Sequence, residues 1–299
     1  MKLRKSKNIA VAFSGGAALG IAHIGVLKAF EEYKIKPNFV SGTSAGAVAA
    51  AFYARGFSAS EIEDLALSID KKQTLKLFAP TLNKGGLIDG KNICDFIRHY
   101  LGDVNIEDLP IKYIAVSVNL QNGDILYINQ GNLISAIRAS ISIPGVFLPY
   151  EANNTFLIDG GLRTNLPLHV LRSFDPDYLI GINVLKTKQL KLGGTFVKIN
   201  NDNTDEKSRD ENFFYKIAEA IKTGNFNRQM QIPRLTKIGY LSLKILLSEL
   251  SNKEIELTNP DMNIEVDVSH IKLWEFWKAK EMIRIGYEAA KESIVRSLK

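Results

Sequence analysis

The order of apolar and polar positions divides the first 185 residues into alternating strands and helices. An apolar run from Asn8 to Ser14 reads as a buried strand, broken by Gly15 and Gly16. Leu19, Ile24, Leu27 and Phe30 then recur at helical spacing and predict a helix over about Ala18–Tyr33. Lys36-Pro37 stops it, an extended approach from Asn38 to Ser41 carries Val40, and an Ala-rich run from Ala45 to Ala54 predicts the second helix. Strand, helix, strand, helix is the pattern of a parallel sheet covered on both faces.

Ser58 or Ser60, followed by Glu61 and Glu63, opens a further helix that ends before Pro80. Asp89-Gly90 starts the helix holding Cys94. The β-branched run Lys112–Asn119 pairs with Asp124–Asn129 across Gln121-Asn122-Gly123 as a hairpin. Leu133–Ser140 is helical, Thr155–Ile158 is a short strand entering Asp159-Gly160-Gly161, and Asp177–Val184 is a buried strand. From Lys186 to Asp210 the chain turns polar and reads as a mobile excursion. Helical patterns at about Glu211–Met230 and Tyr240–Leu250, a strand at Met262–Val266 and an amphipathic helix at about Leu273–Ser297 close it. No linker divides the chain, so residues 1–299 are expected to form one domain: a core (1–185), the polar loop (186–210) and a mainly helical remainder (211–299).

Composition narrows this picture. With 299 residues and 45% hydrophobic content the chain can bury a large core. A net charge of +6 is short of a nucleic-acid-binding profile. Basic residues crowd the start (Lys2, Arg4, Lys5, Lys7) and the last helix, where they either form a solvated face or add about 1 kcal/mol each toward anionic lipid. The single cysteine, Cys94, excludes an intrachain disulfide, fits a reducing compartment and reads as a core thiol. The basic start leads directly into a strand, which argues against a signal peptide, and no run of about eighteen apolar residues offers a membrane span. The expected location is cytoplasmic, with peripheral contact to the inner membrane face.

The candidate chemistry begins at Gly42-Thr43-Ser44-Ala45-Gly46. A serine at a strand-to-helix corner projects above the sheet, and small neighbours let both arms of the turn pass close to it. The competing reading is a glycine turn with a serine N-cap. The loop Ser14-Gly15-Gly16-Ala17-Ala18-Leu19-Gly20 exposes N–H groups at a helix start but fits neither the phosphate-loop nor the dinucleotide pattern. An oxyanion hole remains, alongside tight strand–helix packing. No His/Cys spacing suggests a metal, and no cofactor is expected.

Taken together, these stretches make the chain resemble a bacterial patatin-like phospholipase. The resemblance runs through Ile21–Leu27, Arg138-Ala139-Ser140, Ile143–Phe147, Asp159-Gly160-Gly161 and Leu162–Pro167. It implies a three-layer α/β/α sandwich with a mostly parallel sheet, and hydrolysis of lipid carboxylic esters (phospholipase A or lysophospholipase type) by a Ser–Asp dyad. On that resemblance Ser44 is the nucleophile and Asp159 the base, its pKa raised by burial beside Phe156, Leu157 and Ile158. The N–H groups of Gly15, Gly16 and Ala17 form the oxyanion hole, and Gly42, Gly46 and Gly160 support the turns.

Two residues depart from the family loop, Gly-Gly-Gly-x-Arg-Gly: Ala17 replaces the third glycine and Leu19 the arginine. The donors survive an alanine whose φ stays negative. A transacylase or thioesterase would use the same acyl-enzyme, and Leu19 motivates a weakly active lipid-binding regulator. Asp89-Gly90 reads as a helix cap. Of the four histidines, His23 and His99 read as structural, while His169 and His270 follow Asp159 in the chain order of α/β-hydrolases. Leu75–Leu82 suggests a lid, and Ile238–Leu250 either docks on lipid, caps an acyl groove or packs in the core.

Overall fold

A computed structural model describes residue 3 and residues 6–81, 88–185 and 234–298. Its centre is an 8-stranded sheet in the order β5-β6-β3-β2-β1-β7-β8, with β4 on β3. The strands are β1 (Ile9–Phe13), β2 (Phe39–Thr43), β3 (Lys112–Asn119), β4 (Ile125–Ile128), β5 (Tyr150–Ala152), β6 (Thr155–Asp159), β7 (Tyr178–Asn183) and β8 (Met262–Glu265). From β3 through β8 the pairs are parallel, while β4, β5 and β6 pair antiparallel.

Strand β1 shows how the alternation builds two cores. Ile9, Val11 and Phe13 face the larger core, which includes Leu27, Phe30, Ile180 and Ile283. Ala10 and Ala12 face the smaller one, with Leu166, Leu168, Leu171 and Leu179. Every residue of β1 is buried, as expected of a central parallel strand covered on both sides. The helices are α1 (Ala22–Glu32), α2 (Ala45–Arg55), α3 (Ala59–Leu67), α4 (Lys71–Leu77), α5 (Lys91–Leu101), α6 (Leu133–Ser140), α7 (His169–Arg172), α8 (Arg234–Thr258) and α9 (Ala279–Leu298).

Strand β3 sets the geometry of the site. On one side Thr43 pairs with Val116; on the other, Asp159 pairs with Ser117. The ends of β2 and β6 therefore flank β3 at consecutive positions.

Some boundaries differ from the sequence reading. The first helix opens as a 3-10 turn (Ala17–Ile21), because Ala18 N–H goes to the Leu273 carbonyl at 3.0 Å. Ser58, not Ser60, caps α3 in a capping box with Glu61. The helix then stops, and Asp70 caps α4 through Gln73 N–H. Gly90 is the N-cap of α5, with Asp89 Oδ1 accepting from Lys91 N–H at 2.9 Å. Strand β5, which the sequence reading omits, extends the β6 edge.

Two compact units emerge, Met1–Lys186 with Leu246–Lys299, and Thr187–Ile245. In the second unit the described residues belong to the start of α8, where Leu241 and Ile245 are exposed. The expected loop at 186–210 and helix at 211–230 lie outside the described residues. Among the described residues no helix is long and apolar enough to cross a membrane.

Candidate active site

Ser44 stands between the last residue of β2 and the first of α2, with φ 54° and ψ −122°. A non-glycine residue there costs of order 1–3 kcal/mol and persists only where its surroundings enforce it. The surroundings are tight backbone contacts. A Cβ on Gly42 would lie 2.4 Å from Gly46 C, and one on Gly46 2.2 Å from the Phe13 carbonyl oxygen. Both glycines of the motif are thus required by close approach. Ser44 N–H donates to Ser140 Oγ at 2.9 Å, and that hydroxyl donates to the Val116 carbonyl at 2.6 Å. The elbow is fastened to β3 through one buried side chain of α6.

Asp159 ends β6 and is 6% exposed. Its N–H donates to the Ser142 carbonyl at 3.0 Å, and its Oδ1 accepts from Gly161 N–H at 2.8 Å. Oδ2 is buried with no hydrogen-bond partner. Burial pushes the carboxyl pKa up from 3.8 to about 6, against the opposing pull of the Ser44 hydroxyl and Gly161 N–H. The Ser44 hydroxyl is thus near enough to favour the carboxylate, without the tight bond that would satisfy Oδ2.

The apolar cover differs in part from expectation. Leu157 and Ile158 are buried, but Phe156 is 44% exposed. Leu247 of α8 comes in instead, its Cδ2 lying 2.9 Å from where a Gly161 Cβ would be. Gly160 admits no side chain, because its Cβ would meet the Val116 carbonyl at 2.6 Å.

The glycine loop supplies fewer donors than the sequence suggested. Gly15 N–H is taken by the Asn165 carbonyl at 3.0 Å. Among the described residues the N–H groups of Gly16 and Ala17 are left without a partner. Ala17 has φ +48°, so the negative φ on which its role as a donor was conditioned is not met, although its N–H is unpaired. A glycine adopts that conformation freely, and the alanine holds it at a cost. Leu19 is 1% exposed and belongs to the main core.

Among the described residues no hydrogen bond joins a histidine to Ser44 or Asp159. His23 is fully buried, with Nε2 donating to the Ser14 carbonyl at 2.8 Å, so Nδ1 is the unprotonated nitrogen. Burial lowers its pKa to about 4 and keeps it neutral. His270 pairs with Glu281 at 2.9 Å on the surface. His169 opens α7, its N–H donating to Glu254 at 2.7 Å, and His99 packs against Tyr100. Cys94 is buried and its thiol pKa is pushed up to about 11, as a core thiol should be. Phe78, from the expected lid, stacks near Phe276 at 4.9 Å, and Leu77 is buried.

Sequence reasoning gave no role to three residues near the site, although each lies in a stretch that carries the resemblance. Ser140 holds the elbow, as described. Arg138 is 6% exposed and donates to the Asp89 and Leu148 carbonyls and to Ser142 Oγ, beside the backbone that holds Asp159. Asn165 joins the glycine loop to α8. Their signal was polarity on an otherwise apolar surface: Arg138 and Ser140 interrupt a helix whose other faces are core.

A strained serine beside a buried carboxyl, with a glycine loop offering unpaired N–H groups, has the equipment of a serine acyl hydrolase. The chain belongs to the patatin-like phospholipase family, whose model matches residues 11–172. It is 36% identical over 179 residues to an uncharacterised NTE family protein of Mycobacterium bovis, covering 60% of this chain and 49% of that one. It is 28% identical over 186 residues to lysophospholipase NTE1 of Candida albicans (61% of this chain, 13% of that one). It is 31% identical over 182 residues to neuropathy target esterase sws of Drosophila melanogaster (59% and 13%). The chain thus spans about half the length of the curated relatives it matches first. Among solved structures, VipD from Legionella pneumophila aligns over 98% of this chain and 67% of its own, with TM-score 0.47 and 12% identity.

Proposed function

We propose that this protein hydrolyses lipid carboxylic esters, as a phospholipase A or lysophospholipase, through an acyl-enzyme on Ser44 with Asp159 as the base. The observation that carries the reading is the meeting of a strained serine with a buried carboxyl whose pKa is raised to about 6. A carboxyl at its usual pKa is a weak base for a hydroxyl; near neutrality it can take a proton and return it. Kinship with proteins named lysophospholipase and esterase supports the substrate class.

In the first half-reaction Asp159 takes the Ser44 proton as Oγ attacks the ester carbonyl carbon. The N–H groups of Gly16 and Ala17 are the donors for the oxyanion; Gly15 keeps its bond to Asn165. Asp159 then protonates the departing alcohol, leaving the acyl group on Ser44. Water releases the acid in the second half-reaction.

The test is labelling with a fluorophosphonate, with mass mapping of the modified residue, alongside hydrolysis of a p-nitrophenyl ester and lysophospholipid. Label on Ser44, and turnover lost in Ser44→Ala, is the expected result. Label elsewhere, or turnover surviving the substitution, overturns the assignment. Adding a lysolipid acceptor and measuring diacyl product separates hydrolase from transacylase.

A further inference from the structure

The turn that carries Asp159 leads into a side chain that the mechanism above leaves unused. Asn165 is 1% exposed, and its Nδ2 donates to Ser251 Oγ of α8 at 2.9 Å. The Ser251 hydroxyl in turn donates to the Leu247 carbonyl at 3.0 Å. Its one hydrogen is therefore committed, so only the NH2 of Asn165 can face it, and the amide oxygen points the other way.

That direction faces the turns that carry the nucleophile and the carboxyl. A Cβ on Gly15 would lie 2.6 Å from Asn165 Oδ1 and 3.3 Å from Ser44 Cβ. A Cβ on Gly161 would lie 3.3 Å from Asn165 Oδ1 and 3.0 Å from Asp159 Oδ1. Among the described residues, no hydrogen bond reaches Asn165 Oδ1, and Asp159 Oδ2 is buried without one. A buried carboxylate oxygen without a donor and an amide oxygen that accepts no hydrogen bond, on neighbouring turns, match a small molecule with two O–H groups. In such a place both hydrogens of that molecule need partners.

We propose that Asn165 is a catalytic residue of the second half-reaction, its Oδ1 holding the hydrolytic water while Asp159 Oδ2 receives that water's other hydrogen. This rests on the reading of Ser44 and Asp159 given above. An amide oxygen is too weak a base to take a proton, so it orients and Asp159 abstracts. The water oxygen forms a bond to the acyl carbon as Asp159 takes one of its hydrogens. The bond from that carbon to Ser44 Oγ then breaks, Asp159 returns the proton to Oγ, and the carboxylic acid leaves with the second hydrogen. Attack by Ser44 requires no such water, so acylation does not depend on Oδ1.

Methanol separates this role from a structural one, because it has a single O–H and a methyl group in place of the second hydrogen. In Asn165→Leu, with a p-nitrophenyl ester, the nitrophenol burst should keep its rate within about threefold while steady-state turnover falls by about tenfold or more. The ratio of methyl ester to free acid, measured with added methanol, should rise by about tenfold. Ser251→Ala, which frees the amide to rotate without altering Asn165, should shift that ratio in the same direction by less, and it serves as the reporter if Asn165→Leu does not fold. Burst and turnover falling together at an unchanged ratio, or an unchanged ratio in Ser251→Ala alone if Asn165→Leu is insoluble, would overturn the proposal. Failure of the underlying reading looks different: wild type would show no burst and no label on Ser44.

Discussion

Where α1 crosses α9, a Cβ on Gly25 would lie 1.9 Å from the Ile283 carbonyl oxygen, and one on Gly286 2.0 Å from that of Ala22. Where β2 turns into α2, Gly42 and Gly46 permit contacts just as close. The helix crossing is set among Met282, Ile283 and Ala290, and none of its residues has positive φ. The elbow holds Ser44 at φ 54° next to a carboxyl with an unsatisfied oxygen. Close packing through glycine is therefore not what marks a functional site. A strained serine next to an unpaired carboxylate oxygen is the combination that the proposed function uses and the helix crossing lacks.

The comparison is broken first by moving chemistry and stability independently. Ser44→Ala should lower ester turnover on the order of 10⁴-fold, with a urea midpoint close to that of wild type. Gly286→Ala should do the reverse. Backbone of α1 has to retreat from the new methyl, which destabilises the fold by about 3 kcal/mol. Fluorophosphonate labelling of Ser44 per folded molecule should stay unchanged. A Gly286→Ala protein that is stable but unreactive would show that the two regions are not separable.

The same contrast explains what the sequence made legible. Strands β1, β2 and β7 and the turns that carry Ser44 and Asp159 were readable because apolar alternation and glycine motifs are local. The spent N–H of Gly15 was not, since its partner Asn165 lies far along the chain. Nor was the cover of Asp159: Phe156, on the same strand, is exposed, and Leu247 arrives from α8. The φ of Ala17 was not legible for a related reason. A lone alanine carries no sign of the turn it is forced into, whereas a glycine would have.

A sharper test uses pH. Asp159 must be ionised to act as base, so kcat/KM should fall about tenfold per unit below pH 6 and level off above it. Stability carries the opposite sign. The folded pKa of about 6 lies above the ordinary 3.8, so ionisation is disfavoured in the fold. The neutral carboxyl's contribution is complete below 3.8 and is lost as pH rises through 6. Asp159→Asn escapes that loss while keeping an acceptor for Gly161 N–H. At pH 8 it should be more stable than wild type by on the order of 2 kcal/mol, an advantage that vanishes near pH 4. Urea titrations at both pH values decide it, and a variant less stable at pH 8 would mean that burial does not penalise this carboxylate.

The smallest effect expected concerns Ala17, which combines the two regions' features: a loop built for glycine, occupied by a residue with a side chain. Holding an L-residue at φ +48° costs roughly 1–2 kcal/mol, and glycine's added freedom in the unfolded chain returns part of that. Ala17→Gly should therefore stabilise the protein by about 0.5–1 kcal/mol. The N–H that faces the oxyanion need not move, so kcat should change by less than about threefold. Destabilisation by Ala17→Gly would mean that the alanine methyl is packed to more effect than its backbone is strained. A large change in kcat would mean that the loop takes another conformation when substrate is bound, and the donor assignment to Gly16 and Ala17 would then have to be redrawn.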